Sequence, residues 1–194
     1  MRFQSVCVLA ISAFAGLCPL LAEDFEASPN LAVENNSDEG TKVEVVPDPA
    51  KPDNKVYKLS WGAHSGTHAA AHLVENSPLI EDGSGIYEIT ARMNFEDVGS
   101  ECSHVALRVA DKGNETFQLS APIEAVGAPG WTTVKWTFNT DDPTAGSIPS
   151  WGEDVNGVVD FPVRFVGFAV GFKDSSTAGG SFMADDVTAT KTNP

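Results

Sequence analysis

The 194-residue chain carries 27 acidic against 12 basic residues, a formal net charge of −15. A surface this acidic repels nucleic acid and anionic lipid, which leaves neutral polymers, cations and basic surfaces as partners. With only Cys7, Cys18 and Cys102, the chain is not a disulfide-stapled scaffold.

Met1-Arg2 precedes an apolar run over residues 6–21 that Pro19 interrupts and Ala22 closes before Glu23. This pattern predicts a secretory signal peptide cleaved after Ala22, with the protein exported to the periplasm or the cell exterior. The run is short for a bilayer span, so a membrane anchor is not expected. Leu17 stands where a lipoprotein signal ahead of Cys18 requires a small residue. Residues 23–194 then form a single domain of net charge −16, large enough for a sizeable core, with Cys102 as its lone thiol.

From Glu23 onward, short strands alternate with turn residues, and no amphipathic helix stands out. Asp24-Phe25-Glu26 is predicted as an opening strand and residues 35–40 as a polar loop. Residues 42–46 and 56–61 alternate, with Pro47, Pro49 and Pro52 keeping the link between them non-helical. Residues 67–74 put His68, Ala70, His72 and Val74 on one face. In residues 87–95 odd positions are apolar and even positions polar, the signature of a sheet with one dry face. Val105, Leu107 and Val109 repeat that alternation, then Phe117 and Leu119, then Val134, Trp136 and Phe138. A long loop over residues 139–162 holds Trp151. The apolar run of residues 165–172 suits a strand buried on both faces, and residues 182–187 read as the return arm of a closing hairpin. Together these predict an all-β protein, a two-sheet antiparallel β-sandwich of jelly-roll type.

The return arm carries Asp185 and Asp186 beside Phe182 and Val187. A buried, unpaired carboxylate costs roughly several kcal/mol, so a bound cation is expected to compensate one of them.

The order of Asp24-Phe25-Glu26, Lys58-Leu59-Ser60, Gly85-Ile86-Tyr87-Glu88-Ile89-Thr90-Ala91, Gly130-Trp131 and Phe182-Met183-Ala184-Asp185-Asp186-Val187 resembles the galactose-binding-like jelly rolls. These include many carbohydrate-binding modules of bacterial polysaccharide-degrading enzymes. The resemblance spans essentially the whole of residues 23–194. It implies a structural Ca²⁺ between the first and last strands, held by Glu26, Asp185 and an acid of the polar loop, Asp38 or Glu39. It also implies a packing role for Trp131.

Sugar recognition needs flat aromatic faces and planar polar groups. Trp61 before Gly62 and Trp151 between Ser150 and Gly152 sit among small polar residues, where an exposed ring is expected. Arg92, Asn94, His104 and Arg108 are polar alternates of the middle strands that can line a groove; polar outer faces are also the default of antiparallel sheets. His64, His68 and His72 would share a helix face, but on a strand His68 and His72 stand ~13 Å apart, too far to share an ion. No nucleophile elbow, zinc-protease motif or paired-acid signature is present. The expected function is non-catalytic binding of a polysaccharide or oligosaccharide, with a small glycan hydrolase or lyase and a protein-binding surface module as the alternatives.

Overall fold

The computed structural model describes residues 20–35, 37, 40–63, 67–99, 101–122, 130–144, 148–175, 177 and 179–192. Among them lie β1 (Leu20–Glu23), β2 (Leu31–Val33), β3 (Lys42–Asp48), β4 (Lys51–Trp61), β5 (His68–Ile80) and β6 (Ile86–Asp97). There follow β7 (Cys102–Ala110), β8 (Glu115–Pro122), β9 (Trp131–Asn139), β10 (Trp151–Gly152), β11 (Val163–Phe172) and β12 (Gly180–Lys191). No helix among the described residues is long and apolar enough to cross a membrane.

The strands form two sheets whose pairs all run antiparallel. The first has the order β3–β4–β12–β6–β9, with β1 also on β12; the second has the order β10–β8–β7–β11–β5–β2. The chain is a two-sheet antiparallel sandwich, as its alternation predicts. Tyr87, Ile89, Ala91 and Met93 of β6 and Val134, Trp136 and Phe138 of β9 face inward against Val105, Leu107 and Val109 of β7. Phe168 of β11 links the layers: its ring lies 5.3 Å from Tyr57 and 6.0 Å from Phe182 on the opposite sheet. Edge-to-face pairs of this kind add about 0.5–1.5 kcal/mol each beyond area burial.

Three expectations change. Residues 165–172 and 182–187 do not form a hairpin, because β11 pairs with β5 and β7 while β12 pairs with β4 and β6. Each is flanked on both sides within its own sheet, which leaves neither an edge free for the other. Residues 24–26 form a turn rather than a strand: Glu23 Oε1 accepts the Phe25 N–H at 2.8 Å, Asp24 Oδ1 accepts the Glu26 N–H at 3.1 Å, and Phe25 enters the core. The long loop contains β10, which pairs Trp151 with Thr116.

Candidate functional site

The outer face of the second sheet is built in rows that follow from strand register. Gly171 of β11 faces His68 on β5 and His104 on β7. Two residues earlier, Ala169 faces Ala70 and Ala106, and Gly167 faces His72 and Arg108, with Gln118 of β8 beyond. Because alternate residues point to opposite sides, the aliphatic partners go to the core and these go outward. The three alanines make a small buried cluster of their own. Above this floor lies a cleft of about 380 Å³ walled by Trp151, Arg108, Glu34, His68, His104 and Gln118, a size suited to a small ligand.

Small residues at β11 give the cleft its depth. A Cβ on Gly171 would sit 2.0 Å from His104 Cε1, so the imidazole occupies the space that any side chain there would take. Ser103 Oγ donates to the Gly171 carbonyl at 3.0 Å and lies 2.9 Å from His104 Nδ1. With its proton committed to the carbonyl, that hydroxyl accepts from Nδ1–H, which makes His104 Nε2 an acceptor. Burial, and then the nearby Arg108 charge, hold His104 below its usual pKa, so the neutral ring is favoured. His68 Nε2 is buried with no hydrogen-bond partner among the described residues.

Arg108 is the polar centre. Its Nε donates to Gln118 Oε1 at 2.9 Å, its Nη1 is ion-paired with Glu34, and its Cζ lies 5.2 Å from the centroid of the Trp151 ring. The side chain is only 7% exposed and Glu34 22%, so the charges are compensated within the wall.

Trp151 is half-exposed and held by its loop. The fully buried Glu115 carboxylate accepts Ser150 Oγ and the N–H groups of Asn156 and Gly157, the latter two between 3.0 and 3.2 Å. Asp111, also buried, accepts Glu115 N–H at 2.9 Å and Asp160 N–H at 3.1 Å. Gly152 lets the strand approach β8: at φ +129° its absent Cβ would fall 2.0 Å from the Asn114 carbonyl oxygen.

At the other sheet, Arg92 Nη2 lies 2.7 Å from Asp185 Oδ2 and 3.3 Å from Asp48 Oδ2, and its Nε lies 3.3 Å from Asp186 Oδ2. Burial works against the Arg92 charge, but the Asp185 hydrogen bond and the Asp185, Asp186 and Asp48 charges outweigh it and raise its pKa. Asn54 Nδ2 donates to Asp185 Oδ2 at 2.9 Å, and Asp186 N–H to Asp185 Oδ1 at 2.9 Å. Lys55 Nζ donates to the Glu26 carbonyl at 3.1 Å and to Ser28 Oγ at 2.9 Å, while Lys55 N–H donates to Glu26 Oε1 at 3.0 Å.

No protein-family model matches the chain, and no curated protein matches it in sequence. Among solved structures, it is similar to the family 11 carbohydrate-binding module of the cellulosomal cellulase Lic26A-Cel5E of Clostridium thermocellum. The TM-score is 0.54 at 14% identity, over 90% of this chain and 95% of that chain. The fold is that of the carbohydrate-binding-module jelly roll. A family 11 module from Clostridium thermocellum in complex with a β-1,3-1,4-mixed-linked tetrasaccharide gives 0.53 at 15% identity, over 88% of this chain and 94% of that one. An exo-β-agarase gives 0.56 at 14% identity over 90% of this chain, which corresponds to 25% of the agarase chain.

Of the residues the sequence singles out, this jelly roll brings Trp151, His104 and Arg108 to one cleft. Trp61 is corrected to a core residue: it is 4% exposed and packs on Phe172 and Phe182, with ring centroids at 5.6 and 6.4 Å. Arg92 and Asn94 belong to the opposite sheet and cannot line that cleft. Asn94 is buried there, and Arg92 lies over the Trp131 ring at 4.1 Å.

The charge compensation that Asp185 was expected to need comes, within the protein, from Arg92, with Asn54 donating to the same Oδ2. Glu26 Oε1 accepts Lys55 N–H, while Asp185 Oδ2 accepts from Arg92 and Asn54. Asp38 and Glu39 lie outside the described residues, as does His64 of the histidine triplet. Among the described residues no group of three or more His, Cys, Asp or Glu gathers to hold a metal.

Glu34, Gln118, Asp111 and Glu115 were not singled out. Gln118 is an outward alternate of residues 116–120 and was legible as such. Glu34 meets Arg108 across 74 residues of sequence, with no local signal.

Proposed function

We propose that this protein binds a neutral polysaccharide or oligosaccharide in the cleft on the outer face of the second sheet. The observation that carries the proposal is the half-exposed Trp151 ring, braced by Glu115, beside hydrogen-bonding groups of no net charge. An aromatic face offers stacking to the C–H face of a sugar ring, and His104 Nε2, His68 Nε2 and Gln118 offer hydrogen bonds to hydroxyls. The likeness to carbohydrate-binding modules supports this use of the fold.

Glycosidic cleavage ordinarily needs two carboxylates flanking the bond. Among the described lining residues Glu34 is the one carboxylate, and it is tied to Arg108. Binding without catalysis is therefore the favoured reading. The apolar run of residues 6–21 is read as a secretory leader, and export would bring the protein to polysaccharide.

Affinity electrophoresis of the protein from Glu23 onward through gels containing β-glucan, xylan, agarose or galactan tests the proposal. Retardation by one of these, abolished in Trp151→Ala, is expected. Migration unaffected by all of them, or release of reducing ends on incubation, overturns it.

A further inference from the structure

We infer that Glu34 sets the ligand charge class of the cleft: by neutralising Arg108 in place, it makes the site one for neutral sugars and closes it to uronic-acid polymers. This rests on the glycan-binding reading of the same cleft.

Among the described lining residues, Arg108 and Glu34 are the only formally charged side chains, setting aside the histidines. A guanidinium is the natural partner of a sugar carboxylate because its forked N–H groups match it. Here two of its three nitrogens are engaged and its charge is matched by a carboxylate. Nη1 goes to Glu34, Nε to Gln118, and the Trp151 ring lies over Cζ. A uronate approaching Arg108 would meet the Glu34 carboxylate's charge beside a guanidinium already neutralised by it, on a protein of net charge −15. A neutral hydroxyl meets neither obstacle. Glu34 is not positioned by chance: its N–H donates to the Ala70 carbonyl at 3.0 Å, which fixes the end of β2 against β5 beside the alanine floor. Glu34 thus acts through Arg108 as a specificity-determining residue.

The substitution Glu34→Gln keeps size and hydrogen-bonding shape and removes the charge, leaving Arg108 uncompensated. Wild type and Glu34→Gln are compared at low salt in gels containing polygalacturonate or the neutral polysaccharides above. Wild type is expected to be retarded by a neutral polysaccharide and not by polygalacturonate. In Glu34→Gln the ratio of polygalacturonate to neutral-glycan affinity should rise at least about tenfold, the size of one charge-assisted hydrogen bond, and the gain should vanish on adding salt.

If a folded Glu34→Gln shows no gain, or wild type binds polygalacturonate as well as neutral glycan, the inference fails while the glycan reading stands. Wild type bound by no glycan sinks both. Should Glu34→Gln not fold, Glu34→Ala is compared in the same gels: the same salt-sensitive gain for polygalacturonate supports the inference, and its absence overturns it.

Discussion

Glu115 and Gly157 are joined by one N–H shared between both oxygens of the buried Glu115 carboxylate, at 3.2 and 3.1 Å. The same carboxylate takes Asn156 N–H and Ser150 Oγ, so one side chain of β8 organises the loop that presents Trp151. Glu115→Gln replaces an acceptor with a donor against those N–H groups, at a cost of about 1–3 kcal/mol. For a domain of this size that lowers Tm by roughly 2–4 °C per kcal/mol. Glycan affinity should fall with it, because the ring loses its brace. Thermal melts and affinity electrophoresis on the same preparation check both.

Two tryptophans should separate binding from stability. Trp151→Ala is expected to lose glycan retention with little change in Tm, since the ring is half-exposed. Trp61→Ala removes a ring packed on Phe172 and Phe182 and should cost about 3–5 kcal/mol. Equal Tm losses in the two variants would contradict the assigned positions.

Arg92 should be a stability residue. Arg92→Met leaves Asp48 and Asp185 buried with their charges uncompensated, a loss of about 3–5 kcal/mol by chemical denaturation. With Arg92, Asn54 and Lys55 in place, neither calcium nor a chelator should move the Tm of the wild type. A shift of several degrees on chelation would show that an ion shares these acceptors.

Cys102 should be inert in the native state. Burial, and then the Glu101 charge, push its thiol up to about 12, far from the thiolate that reacts. Alkylation at pH 8 should proceed only on unfolding, so labelling with and without denaturant, read by mass spectrometry, tests it.

His104 predicts a pH slope of defined sign. Its folded pKa lies below the ordinary 6.5, so the unfolded chain binds the extra proton first as pH falls. The stabilising contribution of the neutral ring is fully present above 6.5 and is lost as pH falls through the depressed folded value. The difference in stability between wild type and His104→Gln should therefore shift against wild type on acidification, measured from urea melts across pH 7 to 5. A pH-independent difference would refute the neutral, buried ring.

The alternation of residues 87–95 was legible because a strand with one dry face writes its geometry every second residue. Residues 165–172 were legible as doubly buried for the same local reason, yet their partners were not. Pairing of Ala169 with Ala70 and Ala106 is decided by residues 63 to 99 positions away. Trp61 and Trp151 show the limit sharply. Both have small polar sequence neighbours, but Phe172 and Phe182 close over the first, and among the described residues no ring packs on the second. The acids mislead likewise: Asp185 needed compensation, and the chain supplies it from Arg92, itself legible only as one polar alternate among many.

The exchange of partners between β11 and β12 has a consequence for how the chain acquires its shape. Each is the interior strand of a different sheet, and each comes late in the sequence. Neither layer can be completed while the polypeptide is still being made up to residue 163, and β4, β5, β6 and β7 each keep one edge unpaired until then. Assembly therefore depends on long-range encounters, the regime in which β-sandwiches take milliseconds to seconds. During that interval the half-built sheets are open to pairing with other chains, and a net charge of −15 opposes that association by mutual repulsion.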